Sequence, residues 1–240
     1  ARGVVPDDHR FCFGYADAAL NRAARAAFAC ADVILILGKR MDYRLALGSD
    51  RIINPHAKVI QIDIHAQELG VNRSIQLPIH ADVKKALSML IDVAGPTPWP
   101  RHPSIDLHHD LRARWRRKLD RAMADETTPM HPAAVYRRIL HALPSNTLLS
   151  WDGGDFTHWG RAIIPAFQPG GWLRLGPLGT IGSALPNAIA LQLANPDRRV
   201  VLITGDGALG FYIAEMDTAV RYELPIVIIV ATDGGWGLER

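Results

Sequence analysis

Cysteine is nearly absent from this chain, which holds only Cys12 and Cys30. Two scattered thiols can build neither a disulfide framework nor a zinc site, so a reducing, cytoplasmic setting is expected. Long apolar runs are missing too. None approaches the roughly 20 residues that a membrane span needs, and no signal peptide opens the chain. There is no GxGxxG fingerprint, which argues against an ordinary Rossmann dehydrogenase. No internal repeat or low-complexity tract occurs. The basic residues cluster in Arg112, Arg114, Arg116, Arg117, Lys118 and Arg121. No aromatic platform or nucleic-acid motif accompanies them, so they read as the solvated face of a helix, and no nucleic-acid or membrane partner is expected. His108 and His109 lack partners at metal-ligand spacing and read as surface residues.

What is present is a soluble globular balance: 240 residues, 48% apolar, 21% charged, net charge +3. That length allows one large or two ordinary domains. From residue 17 onward the pattern is α/β. An Ala-rich helix follows Asp17, read as its N-cap, and a buried strand over 33–37 ends at Gly38. A second strand spans 58–64, a shorter extended piece 74–79, and an amphipathic helix with Val83, Leu87 and Leu90 follows Asp82. Apolar strands alternating with helices predict parallel sheets covered on both faces. The stretch GPTPWPRHP, four prolines in nine residues, marks a stiff linker. The expected division is therefore a first domain over 1–95, a linker and connecting helix over 96–129, and a second domain over 130–240. The chain opens on Ala1 without Met and stops just past a strand end at Arg240, so a longer parent is expected.

The segment VVLITGDGALGFYIAEMDTAVRYELPIVIIVATDGGWG carries the most information. An apolar strand over 200–203 runs into Gly205-Asp206-Gly207. A helical stretch follows, then a strand over 226–230 that ends in Thr232-Asp233-Gly234-Gly235. Parallel strands end on one edge of a sheet, so Asp206 and Asp233 are delivered to one place. Two carboxylates beside Gly-rich backbone can hold a hard cation, and Mg²⁺ commonly brings a diphosphate with it. Upstream, Gly176, Gly179 and Gly182 punctuate LGPLGTIG before an apolar helix over 183–194. These glycines either admit a flat ligand or only permit tight packing. Asp152-Gly153-Gly154-Asp155-Phe156 follows a short strand over 147–150, and Asp155 there is equally readable as a helix N-cap.

Together these motifs resemble the thiamine diphosphate (ThDP) enzymes, most nearly the acetolactate synthase-like branch. The resemblance covers nearly the whole chain, with only its C-terminal motif specific. It implies an α/β fold of two parallel-sheet, three-layer domains: a central Rossmann-like domain and part of a ThDP diphosphate-binding domain. In the family, the GDG aspartate and the second residue of an Asn-Asn or Asn-Asp pair ligate Mg²⁺, with a carbonyl two residues later. Those positions are Asp206, Asp233 and Gly235 here, and Gly205, Gly207 and Ala208 complete the motif. Thr232 departs from the usual Asn, which touches a supporting contact and not the ligand. Ile181 stands where a bulky apolar residue wedges between the two rings of ThDP, and a carbonyl near Gly179 would receive its amino group. Gly153, Gly154 and Asp155 fit the loop that meets the diphosphate. In relatives the central domain, matched here by GKRMDYRLALG and QIDIH, binds FAD or an ADP or CoA nucleotide. Gly38, Arg40 and Asp63 sit at strand ends where such a nucleotide lies, although Asp63 as a turn cap and Arg40 as a surface ion pair read as well.

The implied chemistry is making or breaking a bond beside a carbonyl. Pyruvate condensation leads 2-hydroxyacyl-CoA cleavage of the lyase or oxalyl-CoA decarboxylase kind, and the substrate is a 2-keto acid or a 2-hydroxyacyl-CoA. The catalytic residues are unknown, because the activating glutamate of the family sits in a separate pyrimidine domain. Glu215 and Glu223 are read as structural. The chain alone is expected to be inactive, and its parent to be a homodimer or homotetramer. The competing reading of another class is a nucleotide-binding module without catalysis.

Overall fold

A computed structural model describes residues 2–100, 102, 104–176 and 178–237. Pro177 of the glycine-rich segment and the final residues 238–240 lie outside this range. The chain forms two compact units. One is Tyr15–Arg116, and the other joins Ala1–Gly14 to Arg117–Arg240.

In the Tyr15–Arg116 unit, three parallel strands lie in the order β1-β2-β3: β1 (Val33–Leu37), β2 (Lys58–Asp63) and β3 (Leu77–His80). Helix α1 (Arg22–Cys30) is capped by Asn21, whose side chain accepts from the Ala24 N–H at 3.2 Å. Asp17, expected to be this cap, sits too far upstream of the first helical turn. It accepts instead from the N–H groups of Ala19 and Leu20 in the preceding turn. Burial on β1 alternates. Ile34 and Ile36 join Met41, Ile52, Ile53 and Val59 in the core, while Val33, Leu35 and Leu37 stand exposed. Helix α2 (Val83–Ala94), capped by Asp82, buries no residue fully. Helix α3 (Ser104–Met123) begins directly after the proline-rich stretch, and the division between the units falls within it.

The other unit is built on four parallel strands in the order β5-β4-β6-β7. These are β4 (Leu148–Trp151), β5 (Trp172–Arg174), β6 (Val200–Gly205) and β7 (Val227–Ala231). Strand β5 is absent from the sequence reading. Its three residues follow Gly170-Gly171 and are too short to show a period. Helix α6 (Ala184–Ala194) packs Ala184, Leu185, Ala188 and Ile189 against Leu148, Val200 and Leu202. The odd residues of β4 and β6 face the other way. There Trp151, fully buried, meets Trp172 and Tyr136, and Tyr136 stacks on Phe156 at 4.6 Å. Tyr136 belongs to α4 (Pro132–Ala142) and Phe156 to α5 (Asp155–Ile163). Burial drives the Tyr136 hydroxyl far above its ordinary range. Short helices α7 (Asp206–Gly210) and α8 (Glu215–Arg221) fill the crossover from β6 to β7.

Residues 2–14 group with this unit, not with the residues that follow them. The Asp7 N–H donates to the Ala166 carbonyl at 3.0 Å, and the Ala166 N–H returns a bond to the Asp7 carboxylate at 2.9 Å. Arg2 pairs with Asp7, donates to the carbonyls of Arg161 and Ile164, and lies over the Trp172 ring.

Candidate functional site

Because all four strands of this sheet run parallel, their C-terminal ends share one edge. In open α/β sheets that edge is where ligands bind. A cavity of about 780 Å³ opens there, lined from four strand ends by Asp152, Leu175, Asp206 and Asp233. The volume suits a cofactor-sized molecule. Gly153, Gly154, Asp155, Ile181, Gly205, Gly207, Ala208 and Gly235 line the same space. Gly179 is the exception among the sequence candidates. It lies in a turn at φ +67°, its N–H donating to the Gly176 carbonyl, and it does not line the cavity. His158, Arg174 and Trp236 line it without having been read from sequence. Arg174 could not be found that way, since it rests on the unforeseen β5.

Local geometry explains how each group is held. Asp206 accepts from the Gly207 N–H at 2.8 Å and from the Thr232 hydroxyl at 2.8 Å. These two donors, Thr232 first, hold its carboxyl below the ordinary carboxylate range, so it stays ionised. The Thr232 bond also ties the end of β6 to the end of β7. Asp233 accepts from the Gly235 N–H at 3.1 Å and stands exposed. Ile181 is 39% exposed rather than packed into the core, and it lines the cavity. Asp155 does not cap α5. Gly154 holds that position, and the Asp155 carboxylate accepts from the Trp159 indole N–H at 3.1 Å.

The donor set fits a hard divalent cation only in part. Among the described residues no group of three or more His, Cys, Asp or Glu side chains could hold a metal. Two carboxylates and a main-chain carbonyl leave several of the roughly six Mg²⁺ ligand positions to be filled, and diphosphate oxygens would supply them. The site therefore suits a metal that arrives with a phosphorylated ligand.

In the Tyr15–Arg116 unit a smaller cavity of about 260 Å³ opens beside Gly38, Arg40, Asp63, His65, Glu68 and Asp82. Asp63 accepts from the His65 N–H at 2.9 Å, and Arg40 pairs with Glu68 at 2.9 Å. Both side chains thus make the turn-cap and ion-pair contacts while also lining the cavity.

A cavity at the carboxyl edge of a parallel sheet, with an aspartate after each of two neighbouring strands, is the setting in which α/β proteins bind nucleotides and diphosphates. Comparison with known proteins narrows it. Residues 152–240 match the thiamine pyrophosphate enzyme C-terminal TPP-binding domain, and residues 1–90 match the thiamine pyrophosphate enzyme central domain. The chain belongs to the thiamine pyrophosphate (thiamine diphosphate) enzyme family. It is 35% identical to the acetolactate synthase large subunit IlvG of Mycobacterium tuberculosis over all of its own length and 42% of the relative's. It is 32% identical to the acetolactate synthase isozyme 1 large subunit of Escherichia coli, over 99% of this chain and 41% of that one. Identity to the human 2-hydroxyacyl-CoA lyase 1 is 31%, over 98% and 40% respectively. The chain thus spans about two-fifths of the length of these relatives.

Proposed function

We propose that the chain forms the diphosphate-binding side of a ThDP- and Mg²⁺-dependent carboligase acting on 2-keto acids. Its single strongest support is that Asp206, Asp233 and the Gly153-Gly154 loop line one cavity at one sheet edge. When bound, ThDP supplies a nucleophilic carbon and an electron sink for chemistry at a carbonyl. The chain's own residues bind and orient. Asp206, Asp233 and the Gly235 carbonyl would hold Mg²⁺, the glycines at 153, 154 and 205 leave room for the diphosphate, and Ile181 would press against the rings. The proton-transfer partner for the other end of the cofactor is assigned to a pyrimidine-side domain of the whole protein and not to Glu215 or Glu223. A homodimer or homotetramer is part of this reading, supported by Phe211, Ile213 and Trp236 standing exposed near the site.

A second reading, cleavage of a 2-hydroxyacyl-CoA, is supported by the likeness to the human lyase across 98% of the chain. Turnover of pyruvate against turnover of a 2-hydroxyacyl-CoA by the whole protein separates the two. A protein that binds no ThDP in the presence of Mg²⁺ would instead be the non-catalytic module. The cavity at Arg40 and Asp63 supports a nucleotide, FAD or an ADP or CoA moiety, in the central domain, and titration with each decides it.

Two variants probe the reading. Ile181→Ala should lower turnover about tenfold while costing less than about 1 kcal/mol of stability, because so exposed a side chain leaves little cavity behind. Turnover equal to wild type would remove Ile181 from the site. Thr232→Val deletes one hydroxyl donor to Asp206 and should weaken ThDP affinity about fivefold, the worth of one hydrogen bond of about 1 kcal/mol. An unchanged dissociation constant would make Thr232 a mere link between strands.

A further inference from the structure

A carboxylate that is 2% exposed lies at the end of β4, and the cofactor reading gives it no task. It is Asp152. Alternation along β4 puts Leu148, Ser150 and Asp152 on the face covered by α6, so two polar side chains point at the start of an apolar helix. Both are satisfied there. The Ser150 hydroxyl, fully buried, donates to the Ala184 carbonyl at 2.8 Å. One carboxylate oxygen of Asp152 accepts from the N–H groups of Gly182 and Ala184, and the other from the Gly153 N–H at 2.7 Å. The first pair of donors lies just after Ile181, where its turn enters α6. The last belongs to the loop beside Gly205.

We propose that Asp152 is a positioning residue that couples two walls of the cavity, the Gly153-Gly154 loop and the Ile181 turn, with Ser150 as the second grip on that turn. The inference rests on the cofactor reading above. Burying a carboxylate is costly, and burial pushes this carboxyl above its ordinary range against the pull of its N–H donors and of Arg174. Packing alone would be served at lower cost by an apolar residue. What a carboxylate adds is two acceptor atoms aimed at two different loops.

The test is ThDP titration of the purified whole protein at saturating Mg²⁺, followed by tryptophan fluorescence, with thermal unfolding recorded in parallel. Ser150→Ala should weaken ThDP binding about fivefold, and Asp152→Ala at least tenfold. Asp152→Asn should fall between wild type and Asp152→Ala, because its one oxygen can still serve Gly182 while its amide opposes the Gly153 N–H. Since Ser150 is proposed to act through Ile181, the Ser150→Ala/Ile181→Ala double variant should bind no more weakly than Ile181→Ala. Losses that simply add, or a folded Ser150→Ala with wild-type affinity, would overturn the proposal. Should Asp152→Ala fail to fold, the Ser150 cycle decides. Absence of ThDP binding by the wild-type protein would instead overturn the cofactor reading, and the positioning role with it.

Discussion

Asp206→Ala should abolish Mg²⁺-dependent ThDP binding in the whole protein, weakening it by at least about a hundredfold, or roughly 2.7 kcal/mol. The argument begins with charge. A Mg²⁺ ion dehydrates reluctantly and is held through one or two carboxylates plus phosphate oxygens, so each carboxylate carries a large share of the protein's hold. Among the two strand-end aspartates, Asp206 is the better prepared, because Thr232 and Gly207 fix its orientation and keep it ionised. Removal should leave the fold intact. Among the described residues its carboxylate accepts hydrogen bonds from that hydroxyl and that N–H, and it lies outside the hydrophobic cluster under α6. Asp206→Asn preserves shape and removes charge, so a comparable loss there would locate the effect in the charge. Asp233→Ala should also fall sharply. Titration with and without Mg²⁺ is the measurement, and unchanged affinity in Asp206→Ala would sink the ligand assignment.

Much of this was legible before the fold was known, for a physical reason. Strands of a parallel sheet read as apolar runs, and β1, β6 and β7 each show one, whereas β2 shows it interrupted by Gln61. What the sequence did not disclose depends on contacts across the chain. Strand β5 is three residues long and exists because Trp172 and Arg174 pair with β4, which no local period signals. Asn21 caps α1 in place of Asp17 because the turn at residues 17–20 consumes the Asp17 carboxylate. Asp152 read as part of a loop motif, whereas its place at the end of β4 turns its side chain inward. The alternation Leu148, Ser150, Asp152 was a usable signal, since polar residues at inward positions of a buried strand call for partners. Gly179 and Ile181 are candidates together through the family resemblance, and the turn between them brings Ile181 to the cavity lining and leaves Gly179 off it. The open face of β1 is the opposite case. Val33, Leu35 and Leu37 read as core by composition and are exposed in the described fold.

Gly153→Ala should cost about 2–5 kcal/mol and lower the melting temperature on the order of 10 °C, while also changing the shape of the cavity. Gly153 sits at φ +95°, where an L side chain is strained by roughly 1–2 kcal/mol. The larger obstacle is space. A Cβ here would stand 2.5 Å from the Gly205 nitrogen and 3.0 Å from its Cα. Those are main-chain atoms, which cannot swing aside as a flexible side chain would, so the loop after β4 and the loop after β6 must part. The second of these begins at Gly205 and leads into Asp206. One methyl group should therefore move the Asp206 carboxylate relative to the Gly153-Gly154 loop without touching that carboxylate. Gly205 offers the contrast, because a Cβ there would meet only Gly153 Cα at 3.7 Å and Gly154 N at 4.0 Å, ordinary contact distances. Gly205→Ala should accordingly be milder in both stability and ThDP affinity. Thermal unfolding and ThDP titration of the two variants side by side make the comparison. If Gly153→Ala melts and binds like wild type, the close approach of the two loops is not what shapes this site.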